Sequence, residues 1–124
     1  MLNVGFISYL NAYPFFYPFQ QGLFQNEAWD FTLAHPAVLN KKLRDGALDI
    51  SLLSSMEYAT NQELYELVPA VALSSKGYVD SVRLVSQKPL SELHGGRIAL
   101  TSASASSVAV TKIVLAEYGV SESD

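Results

Sequence analysis

The order of apolar and polar segments predicts an α/β fold built on a parallel sheet. Apolar stretches without polar alternation are typical of strands that are covered on both faces, and here they alternate with segments of helical spacing. Such alternation favours a parallel sheet with helices packed on its faces. At 124 residues, 49% hydrophobic and 16% charged, the chain is long and apolar enough for one ordered domain with a core.

The first half of the chain is predicted to contain three strands and three helices. The strands are expected at residues 2–8, 29–33 and 48–53. A short helix within residues 11–21 has Pro14 in its first turn and Gly22 after its end. A second helix covers Pro36–Arg44 and stops before Gly46. A third, short helix is expected at residues 55–60.

The second half is predicted to continue the pattern into another lobe. Three further strands are expected, at residues 65–74, 81–86 and 97–101. A short turn of helix at 89–93 precedes the last of these strands, and a longer helix at 108–118 ends before Gly119. We expect residues 1–82 to form a first α/β lobe and residues 83–124 the start of a second.

Charge and composition exclude several classes of protein. A net charge of −4 with scattered basic residues argues against nucleic-acid binding, which needs clustered Lys and Arg. The chain has no cysteine, which excludes disulfides and thiolate metal sites. It shows no secretory signal and no apolar run long enough to cross a bilayer. We therefore predict a cytoplasmic protein without a membrane partner.

Polar residues directly follow two predicted strands. Ser8, Tyr9 and Asn11 follow the first strand, and Ser54 and Ser55 follow the third. Ligands of open α/β sheets bind beyond the carboxyl ends of the strands, so these residues are candidate ligand contacts. The amide of Asn11 offers both a hydrogen-bond donor and an acceptor. Its alternative role is that of a helix cap.

A run of small polar residues precedes the last predicted helix. Residues 101–107 (TSASASS) contain five hydroxyl groups, and Ser104, Ser106 and Ser107 lie nearest the helix. Free backbone N–H groups and the helix dipole favour anions at a helix start, so the run predicts a carboxylate or phosphate site. The alternative is ordinary N-capping by one serine.

Other polar residues give weaker indications. Ser81 stands at a predicted strand start and by itself indicates a structural role. Asp49 is expected to cap or bond the backbone at a turn. His35 and His94 have no metal-ligand spacing and are expected in surface loops. Nothing in the sequence resembles a nucleophile elbow, a zinc site or a dinucleotide-binding motif.

Four ordered segments of the chain resemble a known family. They are residues 4–15 (VGFISYLNAYPF), 46–58 (GALDISLLSSMEY), 80–86 (DSVRLVS) and 98–108 (IALTSASASSV). Together they resemble the chorismate dehydratase family of menaquinone biosynthesis, the MqnA type of the futalosine pathway. The first segment differs from the Pro-Asn-Asp type of motif with which the sister enzymes of the pathway, the MqnD type, begin.

The resemblance implies both a fold and a reaction. The fold is that of type II periplasmic binding proteins, with two α/β lobes around a ligand cleft. The reaction is the cofactor-free dehydration of chorismate, a small carboxylate, to 3-[(1-carboxyvinyl)oxy]benzoate.

The resemblance also implies roles for named residues. It assigns the active-site amide to Asn11 and a catalytic hydroxyl to Ser81. It places the substrate carboxylate at Ser104, Ser106 and Ser107, opposite the strand end that carries Ser54 and Ser55. Because an amide and a hydroxyl are not general bases at their ordinary pKa values, a carboxylate of the substrate itself is the expected base.

Members of this family are a good deal longer, so the chain is expected to be a fragment whose second lobe is incomplete. Exposed sheet edges would then favour self-association. Two alternatives stay open at this point. One is a non-catalytic cytoplasmic solute-binding or sensor module for a small carboxylate, and the other is the sister enzyme of the same pathway.

Overall fold

A three-stranded parallel sheet forms the centre of the fold. The computed structural model describes residues 1–24 and 28–121. Strand β1 spans Leu2–Ile7, β2 spans Trp29–Ala34 and β3 spans Ile50–Ser51, in the order β2-β1-β3. The predicted α/β class and the parallel sheet are confirmed, although β3 has two residues where the sequence predicted six.

Within residues 1–24 and 28–121, four α-helices accompany the sheet, and the predicted helices at 36–44 and 55–60 are confirmed. The last helix begins three residues earlier than predicted, because Ser104 and not a later residue caps it. Short 3₁₀ turns lie at Leu10–Ala12, Gln62–Leu64 and Leu90–Glu92. The α-helices are α1 at Tyr13–Gln20, α2 at Pro36–Arg44, α3 at Ser55–Thr60 and α4 at Ala105–Glu117.

Both faces of β1 are covered, which explains its lack of polar alternation. The ring of Phe6 lies 5.4 Å from the rings of Phe16 and Phe19 in α1. Because successive strand residues point to opposite faces, Gly5 faces the other side. There Leu39 of α2 is fully buried and Leu48 is nearly so. Helices α1 and α2 therefore pack on opposite faces of the sheet.

A clamp between Asn3 and Asp49 holds the short strand β3 beside β1. One carboxylate oxygen of Asp49 accepts from the Asn3 backbone N–H at 2.7 Å and from its side-chain amide at 3.0 Å. The Asp49 backbone N–H in turn donates to the Asn3 carbonyl at 2.9 Å. The expected backbone-bonding role of Asp49 is confirmed. These bonds, the backbone one first, lower the pKa of the Asp49 carboxyl.

This clamp should make part of the stability pH-dependent. A carboxyl whose pKa is lower in the folded than in the unfolded chain stabilises the fold above its unfolded pKa of about 4. That contribution is lost as the pH falls through the folded pKa. We expect Asp49→Asn to flatten the decline of the urea midpoint below pH of about 4. Glu66→Gln, at an exposed residue outside the clamp, is the control, and an equal flattening there would contradict the prediction.

The three strands predicted in the second half are wrong. Residues 65–74, 81–86 and 97–101 form no strand in the structure, and each consists mostly of exposed residues. The apolar composition of these segments favours a strand locally, but a strand also needs a hydrogen-bonded neighbour. Within the described residues no neighbouring strand lies beside these segments. The division into lobes at residues 82 and 83 stays a prediction, and residues 122–124 lie outside the described residues.

Candidate functional site

The order of the strands defines a switch point between β1 and β3. The chain leaves β1 toward β2 on one side and then crosses to β3 on the other side. In open parallel sheets, ligands bind beyond the carboxyl ends of the two strands that flank such a reversal. We call the space beyond the carboxyl ends of β1 and β3 the switch-point crevice. Ser8, Tyr9 and Asn11 follow β1, and Ser54 and Ser55 follow β3.

The turn after β1 is held by its backbone and by a buried alanine. The Ser8 N–H donates to the Ala34 carbonyl at 3.0 Å, and the Ala12 N–H donates to the Tyr9 carbonyl at 3.0 Å. Ala12 is fully buried, whereas Asn11 is exposed. No helix-capping bond comes from Asn11 in this turn. The alternative role of Asn11 as a helix cap is therefore wrong, and its amide is available to a ligand.

The start of α3 is fixed by side chains from α2. The Ser54 hydroxyl oxygen caps α3 by accepting from the Glu57 N–H at 3.2 Å. It also accepts from the side-chain amide of Asn40, at 3.0 Å. Asn40 is only 3% exposed. Ser54 is thus a structural cap and a residue of the crevice at once.

A buried carboxylate, Glu57, ties α2 and α3 together. One oxygen of Glu57 accepts from Arg44 Nη1 at 2.7 Å, Asn61 Nδ2 at 3.0 Å and the Tyr65 hydroxyl at 2.9 Å. Burial, and then the bond to Glu57, raise the pKa of the Tyr65 hydroxyl. The sequence interpretation missed this network, because its members match no motif. It connects α2 to α3 on the β3 side of the crevice.

Helix α4 brings its serines to the start of α3. The Ser106 hydroxyl oxygen lies 3.3 Å from that of Ser55 and accepts from the Met56 N–H at 3.3 Å. Ser104 caps α4, since its hydroxyl oxygen accepts from the Ser107 N–H at 3.3 Å, and the two hydroxyl oxygens are 2.9 Å apart. The N-capping alternative is confirmed for Ser104.

The loop before α4 also contacts the start of α2. The Ala37 N–H donates to the Ala103 carbonyl at 3.3 Å. The residue before α2, His35, has its ring 5.6 Å from the ring of Tyr9. The first residues of the helices α2, α3 and α4 therefore lie near one another at the carboxyl edge of the sheet. Five of the predicted ligand residues, Ser54, Ser55, Ser104, Ser106 and Ser107, are grouped there.

Ser81 lies on an exposed turn. In this turn the guanidinium of Arg83 forms an ion pair with Asp80. The structure shows no hydrogen bond between Ser81 and Asn11 in the described part of the chain. A pocket of about 200 Å³ lies beside this turn, lined by 82–84, 99–101, Ser107, Val108 and Thr111. The catalytic roles expected for Asn11 and Ser81 stay predictions.

Two absences hold for residues 1–24 and 28–121. No group of three His, Asp or Glu side chains could hold a metal ion there. Across the same residues, every helix is too short or too polar to cross a membrane.

Comparison with known proteins identifies the family. A family model described as menaquinone biosynthesis matches residues 2–123. The chain belongs to this family. A Thermus thermophilus protein named chorismate dehydratase is 41% identical over 86 residues, which are 69% of this chain and 31% of that protein. The chain thus spans less than a third of the length of that relative. No solved structure matches the chain.

Proposed function

We propose that the chain contributes the chorismate-binding crevice of a chorismate dehydratase. The observation that carries this proposal is the 41% identity over 86 residues to the Thermus thermophilus protein of that name. The crevice supports it, since an exposed amide, Asn11, follows β1 and a group of serine hydroxyls lies beyond β3. These neutral groups suit a substrate that brings its own negative charges.

The proposed reaction is the loss of water from chorismate to give 3-[(1-carboxyvinyl)oxy]benzoate. The bond between a ring carbon and its hydroxyl oxygen breaks, and the neighbouring ring carbon loses its proton. The electron pair of that C–H bond becomes the new ring double bond, and hydroxide and proton leave as water. Electrons balance within the substrate, and the gain of aromaticity drives the step.

Positioning and hydrogen bonding are the proposed contributions of the protein. The Asn11 amide donates to the leaving hydroxyl, and Ser81 assists from the other side. Ser8 and Tyr9 line the substrate beyond β1, and Ser54 and Ser55 do so beyond β3. Oriented donors of this kind stabilise charge as it develops on the leaving oxygen. A substrate carboxylate, and not a side chain, removes the ring proton.

The serines at the start of α4 are the proposed site of one substrate carboxylate. Ser104, Ser106 and Ser107 lie in one turn, where Ser104 contacts Ser107 and Ser106 contacts Ser55. A carboxylate that entered here would exchange some of these neutral bonds for charge-assisted ones, which are roughly twice as strong. This exchange would favour an anion over a neutral ligand.

The wider architecture is part of the same proposal. We infer a fold of the type II periplasmic-binding-protein kind, with residues 1–82 in a first lobe and residues 83–124 at the start of a second. The sheet order β2-β1-β3, with its switch point facing α4, supports it. The futalosine pathway, the cytoplasmic location and self-association stay predictions.

The test is a direct assay with chorismate. The protein is incubated with chorismate, and the mixture is followed by ultraviolet absorbance and mass spectrometry. We expect an aromatic product that has lost one water, with no added cofactor. Binding of chorismate without any product would contradict the proposed reaction and favour the non-catalytic binding module.

A further inference from the structure

Asn40 is a buried polar side chain that contacts Ser54, a residue of the switch-point crevice. It lies on α2, is 3% exposed and contacts two atoms of Ser54. The Ser54 backbone N–H faces Asn40 Oδ1 at 3.5 Å, and the Ser54 hydroxyl oxygen lies 3.0 Å from Asn40 Nδ2. A backbone N–H can only donate, so this pairing fixes which end of the amide is oxygen. Asn40 Nδ2 is therefore the donor to the hydroxyl.

Two groups donate hydrogen bonds to the Ser54 hydroxyl oxygen, and together they determine what its own hydrogen can do. A serine hydroxyl has one hydrogen to donate and two lone pairs to accept. Asn40 Nδ2 and the Glu57 N–H occupy both lone pairs. The Ser54 hydroxyl can then act toward any further group only as a donor. In the described part of the chain it forms no bond to an acceptor.

We propose that Asn40 is a positioning residue that makes Ser54 an obligatory donor to the ligand. The crevice beside Ser54 would therefore accept a carboxylate or another oxygen acceptor and disfavour a group that can only donate. This inference rests on the proposed ligand contact of Ser54, and it deepens that contact by naming the chemistry it selects. It does not depend on turnover.

The test uses two substitutions of Asn40 and measures ligand affinity. The probes are chorismate and benzoate, with dissociation constants from calorimetry or NMR titration. In Asn40→Asp the new oxygen accepts the Ser54 hydrogen and turns it away from the ligand. In Asn40→Ala one lone pair of the Ser54 hydroxyl oxygen no longer accepts a hydrogen bond from residue 40. We expect both constants to rise by about tenfold in Asn40→Asp, which corresponds to about 1.4 kcal/mol, and by less in Asn40→Ala.

A double-mutant cycle separates this role from charge repulsion and from structural damage. Ser54→Ala alone should raise the constants by about tenfold, as expected for one lost charge-assisted bond. If Asn40 acts through Ser54, combining Asn40→Asp with Ser54→Ala should leave the increase near tenfold. Independent effects would multiply to about a hundredfold. Asn40→Ala, which carries no charge, keeps the cycle informative if the aspartate variant does not fold.

Tyr65→Phe is the matched control. It removes one donor from the neighbouring Glu57 network without touching Ser54. We expect a lower urea midpoint with unchanged benzoate and chorismate affinity. Equal loss of affinity in this control would overturn the inference, because general loosening of α3 would then account for it.

The outcomes distinguish this inference from the proposed function. Benzoate binding that weakens as described, without turnover of chorismate, supports the positioning role and overturns only the reaction. An additive cycle, or affinity unchanged in both Asn40 variants, overturns the positioning role. A wild-type chain that binds neither probe overturns it as well.

Discussion

In the proposed reaction, Asn11→Ala should lower kcat/KM for chorismate by at least roughly a hundredfold, the usual effect of removing one preorganised donor to a developing oxyanion. The folded state should be unaffected, because Asn11 is exposed and forms no capping bond in the turn after β1. Steady-state kinetics gives the first quantity, and urea denaturation gives the second. The two together distinguish a lost catalytic contact from a lost fold.

Leu10→Ala is the control for this experiment. Leu10 precedes Asn11 in the same 3₁₀ turn and is 88% exposed. Its truncation disturbs the turn equally little and removes no hydrogen-bonding group, so kcat/KM should stay close to that of the wild type. Wild-type activity in Asn11→Ala would remove Asn11 from the mechanism.

Gly5→Ala should destabilise the protein by about 1–3 kcal/mol, the usual effect of overpacking a core. A Cβ atom at Gly5 would lie 2.5 Å from Ser51 Oγ, 2.8 Å from Leu48 Cδ1 and 3.0 Å from Leu39 Cδ2. Two of these neighbours are buried leucines between the sheet and α2. The clash also pushes β3 away from β1, so ligand affinity should fall together with the urea midpoint.

Leu39→Ala provides the matched comparison for Gly5. Alone it should destabilise the fold by about 2–5 kcal/mol, because Leu39 is fully buried and a cavity remains. The double variant should lose less stability than the sum of the two single losses, because the new methyl group enters that cavity. Additive losses of stability would show that contact with Leu39 is not what makes Gly5→Ala destabilising.

The first half of the fold was predictable because its signals are local. Pro36 at the first position of α2 and Gly46, with φ of +72°, just beyond its end fixed the limits of that helix. β1 was recognised from a mostly apolar stretch without polar alternation. The strands expected at 65–74, 81–86 and 97–101 failed, because strand formation depends on a neighbour that composition cannot show.

The candidate site was predictable only where a polar residue follows a strand or begins a helix. That reasoning found Asn11, Ser54 and Ser104, although it gave no contacts between distant segments, such as that of Ser55 with Ser106. It missed Asn40, for which a signal existed. Asn40 lies four residues after Pro36 and three before Leu43, on the apolar stripe of α2. A lone polar residue on such a stripe is expected to have a buried partner.

The switch-point crevice has a thermodynamic consequence that follows from its two sides. β1 and β3 are joined through the clamp of Asn3 and Asp49, which are separated by 46 residues in the sequence. Closing so long a loop costs chain entropy, and β3 contributes only a two-residue ladder to offset it. A ligand that bridges both sides binds only the chain in which this loop is closed. By mass action, the fraction of chains in which β3 is paired with β1 then rises with the ligand concentration.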